Sequence, residues 1–293
     1  MGYVLASATR LGNRQNNQDR IGAARDGAGI ILILADGMGG HAHGELAANT
    51  LVDTVKNHYE EEIKPIADPV SFLESSIRDA HDQVIDWGQK QDPVCTPCTT
   101  CVVCLVQDGV AWWAHVGDSR LYLLRKDKVE FRTRDHSYVE DLFNCGEIGK
   151  KEMASHPMRN YVTQCIGGKK HYPRIVTARM VLQPNDVIMM CSDGLWGSLE
   201  EDYICHSLGK TNLPEVVEEM AYQAEQLSYP SSDNISVIAM RWISQPAAAR
   251  RGQTTPLKTK VTEKSASAGF DLGDAILEIN KAYEEFQNEI KKS

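Results

Sequence analysis

Residues Ile30 to Ala35 (IILILA) are apolar without interruption, and the run stops abruptly at Asp36-Gly37. Its length suits a strand, Gly29 bounds its other end, and the absence of any polar position reads as burial on both faces. Further strand-like runs follow at Thr100–Val106, Val110–Val116, Arg120–Arg125, Val187–Cys191 and Ile235–Trp242. Glu45 to Ile63, Ser71 to Trp87 and Leu213 to Leu227 instead space their apolar residues for one face of a helix. Strands, then helices, then more strands suggest an antiparallel sheet system with helices packed outside it, rather than alternating βαβ units. No internal repeat is present.

The 293 residues suit one large domain, or one domain plus a tail. With 31 basic against 40 acidic residues the formal charge is −9, which argues against a nucleic-acid binder. No apolar run reaches the roughly 20 residues of a membrane span. The N-terminal segment has no basic stretch before its short apolar patch at Val4, Leu5 and Ala6, so no signal peptide is expected. The residue at position 6 is also wrong for myristoylation of Gly2. A cytoplasmic location and reduced cysteines are therefore expected.

The composition changes after Ile243. Residues 244–268 are rich in Ala, Thr, Ser, Lys and Gln and read as a flexible linker. Residues 269–293 read as an amphipathic helix, with Leu272, Ile276, Ile279, Tyr283, Phe286 and Ile290 forming one apolar seam. That seam either docks on the preceding domain, residues 1–243, or joins a partner or a second copy of the chain.

Five segments place an aspartate beside a small or flexible residue: Arg14-Gln15-Asn16-Asn17-Gln18-Asp19, Asp36-Gly37-Met38-Gly39-Gly40-His41, Val116-Gly117-Asp118-Ser119-Arg120, Ser192-Asp193-Gly194-Leu195-Trp196 and Ser232-Asp233-Asn234. Any one Asp-Gly could be an ordinary turn. However, Asp36 and Asp193 each follow an apolar run and Asp233 precedes one, so three carboxylates sit at the mouth of a core. Such groups are costly there unless paired or coordinated, and they repel one another if they converge. A divalent cation removes both problems, and oxygen-only ligation selects Mg²⁺ or Mn²⁺ over zinc.

In this order the five segments resemble the metal-dependent protein phosphatase family, also called protein phosphatase 2C, in its bacterial form. Asp135-His136-Ser137, His156-Pro157-Met158-Arg159-Asn160 and Ile166-Gly167-Gly168 resemble the family's flap and the segment after it. The resemblance covers about residues 3–243. It implies an α+β fold: a four-layer αββα sandwich of two antiparallel sheets flanked by helices, here with a helical C-terminal tail.

The resemblance also implies hydrolysis of phosphoserine and phosphothreonine by a water held between two Mn²⁺ or Mg²⁺ ions. Asp36 would bridge the ions, the Gly37 carbonyl would join the second, and Asp193 and Asp233 would hold the first. Asp19 would act through water, Asp118 would serve a third, weaker site, and Arg14 would bind the substrate phosphate. Phosphorylated proteins, a Ser/Thr kinase among them, would be the partners. Met38 stands where animal members carry a histidine proposed as the general acid, which leaves that role to a metal-bound water or to His41.

Two other readings compete. A pseudophosphatase acting as a binding module would keep the fold without the cations, yet every ligand aspartate is present. A metal cluster on Cys95, Cys98, Cys101 and Cys104 meets a geometric objection. Cys101 and Cys104 lie three apart in an expected strand and so point to opposite faces. Cys98-Thr99-Thr100 also stands where relatives carry Gly-Thr-Thr.

Overall fold

The computed structural model describes residues 2–38, 43–168 and 171–244. His41, the expected linker beyond Ser244 and the expected helix 269–293 lie outside the described residues. In chain order the elements begin with β1 (Gly2–Arg10), β2 (Asp19–Arg25), β3 (Gly29–Met38), α1 (His43–Glu61), α2 (Pro69–Gln89), β4 (Cys98–Thr99), β5 (Cys101–Gln107) and β6 (Val110–Val116). They continue with β7 (Arg120–Arg125), β8 (Lys128–Arg132), α3 (Tyr138–Asn144), α4 (Lys150–Ser155), β9 (Ile166–Gly167) and β10 (Val176–Val181). The last are β11 (Val187–Cys191), α5 (Asp193–Trp196), α6 (Glu201–Leu208), α7 (Leu213–Ser228) and β12 (Ile235–Ser244).

The strands make two antiparallel sheets. One has the order β1-β12-β11-β7-β8. The other runs β10-β6-β5-β3-β4-β9, with β2 also paired to β3. Three apolar layers hold them together, and β3 shows how. Ile31, Ile33 and Ala35 pack under α1 and α2 with Leu51, Val55, Leu73 and Ile77. Ile30, Leu32 and Leu34 face the other sheet, against Leu121, Leu123, Ile188, Met190, Ile238 and Met240. Period-two alternation thus buries both faces, which is why the run admits no polar residue. On the far side Leu213, Val217, Met220 and Ala224 of α7 cover β1, β11 and β12. The result is the expected αββα sandwich.

The cysteine run also follows the strand geometry. Cys101 belongs to the layer under α1 and α2, and Cys104 to the layer between the sheets. Burial pushes both thiols up from their ordinary value, as it does for Cys191.

Candidate active site

Every acidic segment picked out in the sequence ends at the same edge of the sandwich. Asp36 continues the alternation of Ile30, Leu32 and Leu34, so it emerges at the mouth of the layer between the sheets. Directly across the β2–β3 ladder, its register partner is Asp19. Two carboxylates facing each other in a ladder destabilise it unless something lies between them. Asp193 opens α5 immediately after β11, and Asp233 lies just before β12. Asp118 occupies the tight turn between β6 and β7 and is buried.

The electrostatics record this crowding. Burial raises Asp36 well above the ordinary carboxylate range, and the charges of Asp19, Asp193, Asp118 and Asp233 raise it further. Asp193 is likewise raised well above that range by burial and by Asp118, Asp233 and Asp19. Burial pushes Asp118 up to about 7, with Asp135 adding to it. Asp19 is pushed up to about 6 by burial, against the hydrogen bond it accepts from Ser192.

Oδ2 of Asp19 accepts from Ser192 Oγ at 2.8 Å, whereas its Oδ1 is buried with no hydrogen-bond partner. A buried carboxylate oxygen without a donor, facing a second carboxylate, fits a hard divalent cation. As placed, the side chains do not yet close a cage. Among the described residues no group of three or more His, Cys, Asp or Glu side chains stands in ligating array. Asp233 is turned outward, its Oδ2 taken by Arg14 Nη2 at 2.7 Å. That pair is open to solvent, with the side chains 57% and 40% exposed.

The backbone around these carboxylates is held by residues that sequence reasoning passed over. The Asp36 N–H donates to Thr100 Oγ1 at 2.9 Å, and its carbonyl accepts from the Thr100 N–H at 2.8 Å and Thr99 Oγ1 at 3.0 Å. Thr100 Oγ1 also bonds Ser119 Oγ at 2.7 Å, linking the Asp36 and Asp118 turns. Gly37 has no room for a side chain, because a Cβ there would overlap the Gly44 carbonyl at the start of α1.

Asn234 fastens the loop that carries Arg14. Its Nδ2 donates to the Leu11 and Asn16 carbonyls at 2.8 and 3.1 Å, and its Oδ1 accepts from the Gln18 N–H at 2.9 Å. Trp196 Nε1 donates to the Asp118 carbonyl at 3.0 Å, while its ring lies 3.5 Å beneath the Arg120 guanidinium. Arg120 in turn grips Asp135 through two bonds of 2.9 and 2.7 Å. The serine of S-D-G-L-W, the arginine of V-G-D-S-R and the asparagine of D-N are thus braces for the acidic turns. Their signal in the sequence was simply their place inside the motifs.

Known proteins share the fold that carries these turns. The family model described as "Protein phosphatase 2C" matches residues 8–231, from β1 to just short of Asp233. A 2C-type protein phosphatase of Streptococcus pyogenes is 37% identical over 210 residues, covering 71% of this chain and 85% of the relative. Protein phosphatase PhpP of Streptococcus pneumoniae is 31% identical over 231 residues, covering 76% and 91%. The solved structure of the S. agalactiae serine/threonine phosphatase superposes with a TM-score of 0.77 at 27% identity, covering 83% of this chain and all of that one. The catalytic domain of the serine/threonine phosphatase PstP, solved with two manganese ions, superposes at 0.72 and 25% identity, covering 83% and 99%. With its ordered acidic motifs gathered at one edge of an αββα sandwich, the chain belongs to the protein phosphatase 2C family, and with it to the phosphoprotein phosphatases.

Proposed function

We propose that this chain removes phosphate from phosphoserine and phosphothreonine in proteins, with Mn²⁺ or Mg²⁺ held by Asp36, the Gly37 carbonyl, Asp193, Asp233 and Asp19, and a third, weaker site at Asp118. The observation that supports it most is the Asp19–Asp36 ladder pair, with Asp193 beside it and Asp19 Oδ1 left without a donor. When bound, two such ions lower the pKa of water toward ~7 and align it with phosphorus. Everything else falls to the chain.

Thr99 and Thr100 fix the Asp36 backbone, and Ser192 orients the Asp19 carboxyl toward Asp36. The reading requires Asp233 to rotate inward from Arg14. That rotation frees a guanidinium at the rim, whose fork matches two phosphate oxygens and offsets the charge that builds on them. Arg14 is therefore the residue that orients the phosphomonoester, and ion and substrate binding are coupled through its exchange of partners. Met38 has no proton to give, so the leaving alkoxide takes its proton from elsewhere. The substrate in this reading is a phosphorylated protein met in the cytoplasm, such as a phosphorylated Ser/Thr kinase.

Hydrolysis of a phosphothreonine peptide, followed by phosphate release with and without Mn²⁺, is the test. The reading requires activity that EDTA abolishes and added Mn²⁺ restores. Release of phosphate that persists in EDTA, or none at saturating Mn²⁺, would overturn it, the latter in favour of a binding module.

A further inference from the structure

Cys98 and Cys165 lie beside each other, on either side of Gly168. They meet on one face of the short β4–β9 ladder, where Cys98 lies opposite Gly167 and Thr99 opposite Ile166. Gly167 puts no side chain between them, and positive φ at Gly167 and Gly168, 82° and 71°, turns the chain away directly after Cys165-Ile166. A Cβ at Gly168 would sit 3.3 Å from Cys165 Sγ and 3.7 Å from Cys98 Cβ, so the two cysteines flank the same point. Both are partly open to solvent, whereas Cys101, Cys104 and Cys191 are buried.

The pair also touches the site. The Cys98 thiol donates to the Met38 carbonyl at 3.5 Å, and β4 pairs with β3 through Met38–Cys98 and Gly37–Thr99. The next residues along, Thr99 and Thr100, carry the three bonds that hold the Asp36 backbone.

We propose that Cys98 and Cys165 form a peroxide-oxidisable dithiol, and that their disulfide displaces the Asp36–Gly37 backbone and lowers the activity. In the first step the Cys98 sulfur attacks one oxygen of hydrogen peroxide. The O–O bond breaks, one water leaves, and Cys98 becomes a sulfenic acid. The Cys165 sulfur then attacks the Cys98 sulfur, the S–O bond breaks, and a second water carries off the oxygen with the Cys165 proton. Two thiols and one peroxide give one disulfide and two waters.

The neighbouring Cys165 thiol holds the Cys98 thiol below its ordinary value, against burial, which favours the first step. Diagonal neighbours on a ladder have Cα atoms about 7–8 Å apart, whereas disulfides span about 4.4–6.8 Å. Closing the bond therefore draws β9 against β4, and the motion passes through Thr99 and Thr100 to Asp36. A shift of about 1 Å at a catalytic group costs on the order of 10²-fold in rate. Exchange with a dithiol reverses the bond.

The effect on activity rests on the phosphatase reading, but formation of the bond does not. The full-length protein, loaded with Mn²⁺, is treated with hydrogen peroxide, and the remaining thiols are blocked. One portion is digested for peptide mapping and another is assayed on p-nitrophenyl phosphate before and after dithiothreitol. A peptide linking Cys98 to Cys165 is expected, with a loss on the order of 10²-fold that dithiothreitol reverses. Cys165→Ser and Cys165→Ala should keep the reduced activity yet give neither the linked peptide nor the reversible loss. A different cysteine pairing, no linked peptide, or a linked peptide with unchanged activity overturns the proposal. A reduced enzyme with no activity at all counts against the phosphatase reading, and peptide mapping still decides whether the pair forms.

Discussion

Replacing Asp19 by Asn should stabilise the protein when divalent ions are withheld and cost it function when they are supplied. Asp19 is almost fully buried and faces Asp36 across the ladder, and its carboxyl is pushed up to about 6 from an ordinary 3.8. The folded state therefore binds its proton more tightly than the unfolded chain does. Between about pH 4 and pH 6 stability falls as pH rises, and it stays low above that window. At pH 8 the gap is worth about 3 kcal/mol, at 1.36 kcal/mol per pH unit. A neutral amide avoids this cost. Its oxygen can still accept from Ser192 Oγ, and its N–H₂ can take the place of the unpartnered Oδ1 and donate to Asp36. For a domain of this size about 3 kcal/mol corresponds to roughly 6–12 °C in Tm. Thermal unfolding followed by circular dichroism in EDTA at pH 5 and pH 8 measures it. Asp19→Asn should melt higher than wild type at pH 8, with the difference shrinking at pH 5, and Mn²⁺ should reverse the ranking. A variant that melts at or below wild type in EDTA at pH 8 refutes the claim that a repelling carboxylate pair sits at this edge.

Arg14→Ala should raise KM for a phosphothreonine peptide far more than it lowers kcat, as steady-state kinetics at saturating Mn²⁺ would show. Asp118→Ala should leave the tighter ions in place in a calorimetric titration yet slow turnover of phosphopeptides; full turnover would remove the third site from the account. Removing residues 245–293 should leave hydrolysis of p-nitrophenyl phosphate intact, because every candidate ligand precedes β12. Light scattering of the truncated and full-length proteins then tells whether the expected tail helix serves self-association.

The parts of the fold that could be read from the sequence are those buried on both faces. The bounds read for β6, β7 and β11 agree with the structure to the residue, and those for β3, β5 and β12 nearly so, because a strand packed on two sides is apolar at most of its positions. β1 and β2 escaped notice. GYVLASATR is rich in small and hydroxyl side chains, DRIGAAR carries three charges, and both are strands because of the neighbours they pair with, β12 and β3. β4 and β9 are two residues each and exist only through pairing with distant chain, Met38 against Cys98 and Cys98 against Gly167. At the site, the acidic turns were legible because glycine and aspartate at strand ends leave a local pattern. The brace of Trp196, Arg120 and Asp135 was not, since it joins three separate motifs through space. Nor was the pairing of Arg14 with Asp233, which are 219 residues apart in the chain.

Calorimetric titration of the metal-free protein with Mn²⁺, for wild type, Asp36→Asn and Asp193→Asn, decides whether the acidic edge of the sandwich holds divalent ions. At least two ions per wild-type chain should bind, with release of protons to the buffer, because the ions replace protons on raised carboxyls. Each variant should bind fewer ions, or bind them much more weakly, with a rate loss of at least ~10²-fold alongside. Wild-type protein that binds no Mn²⁺, or variants that bind it as wild type does, would contradict the account.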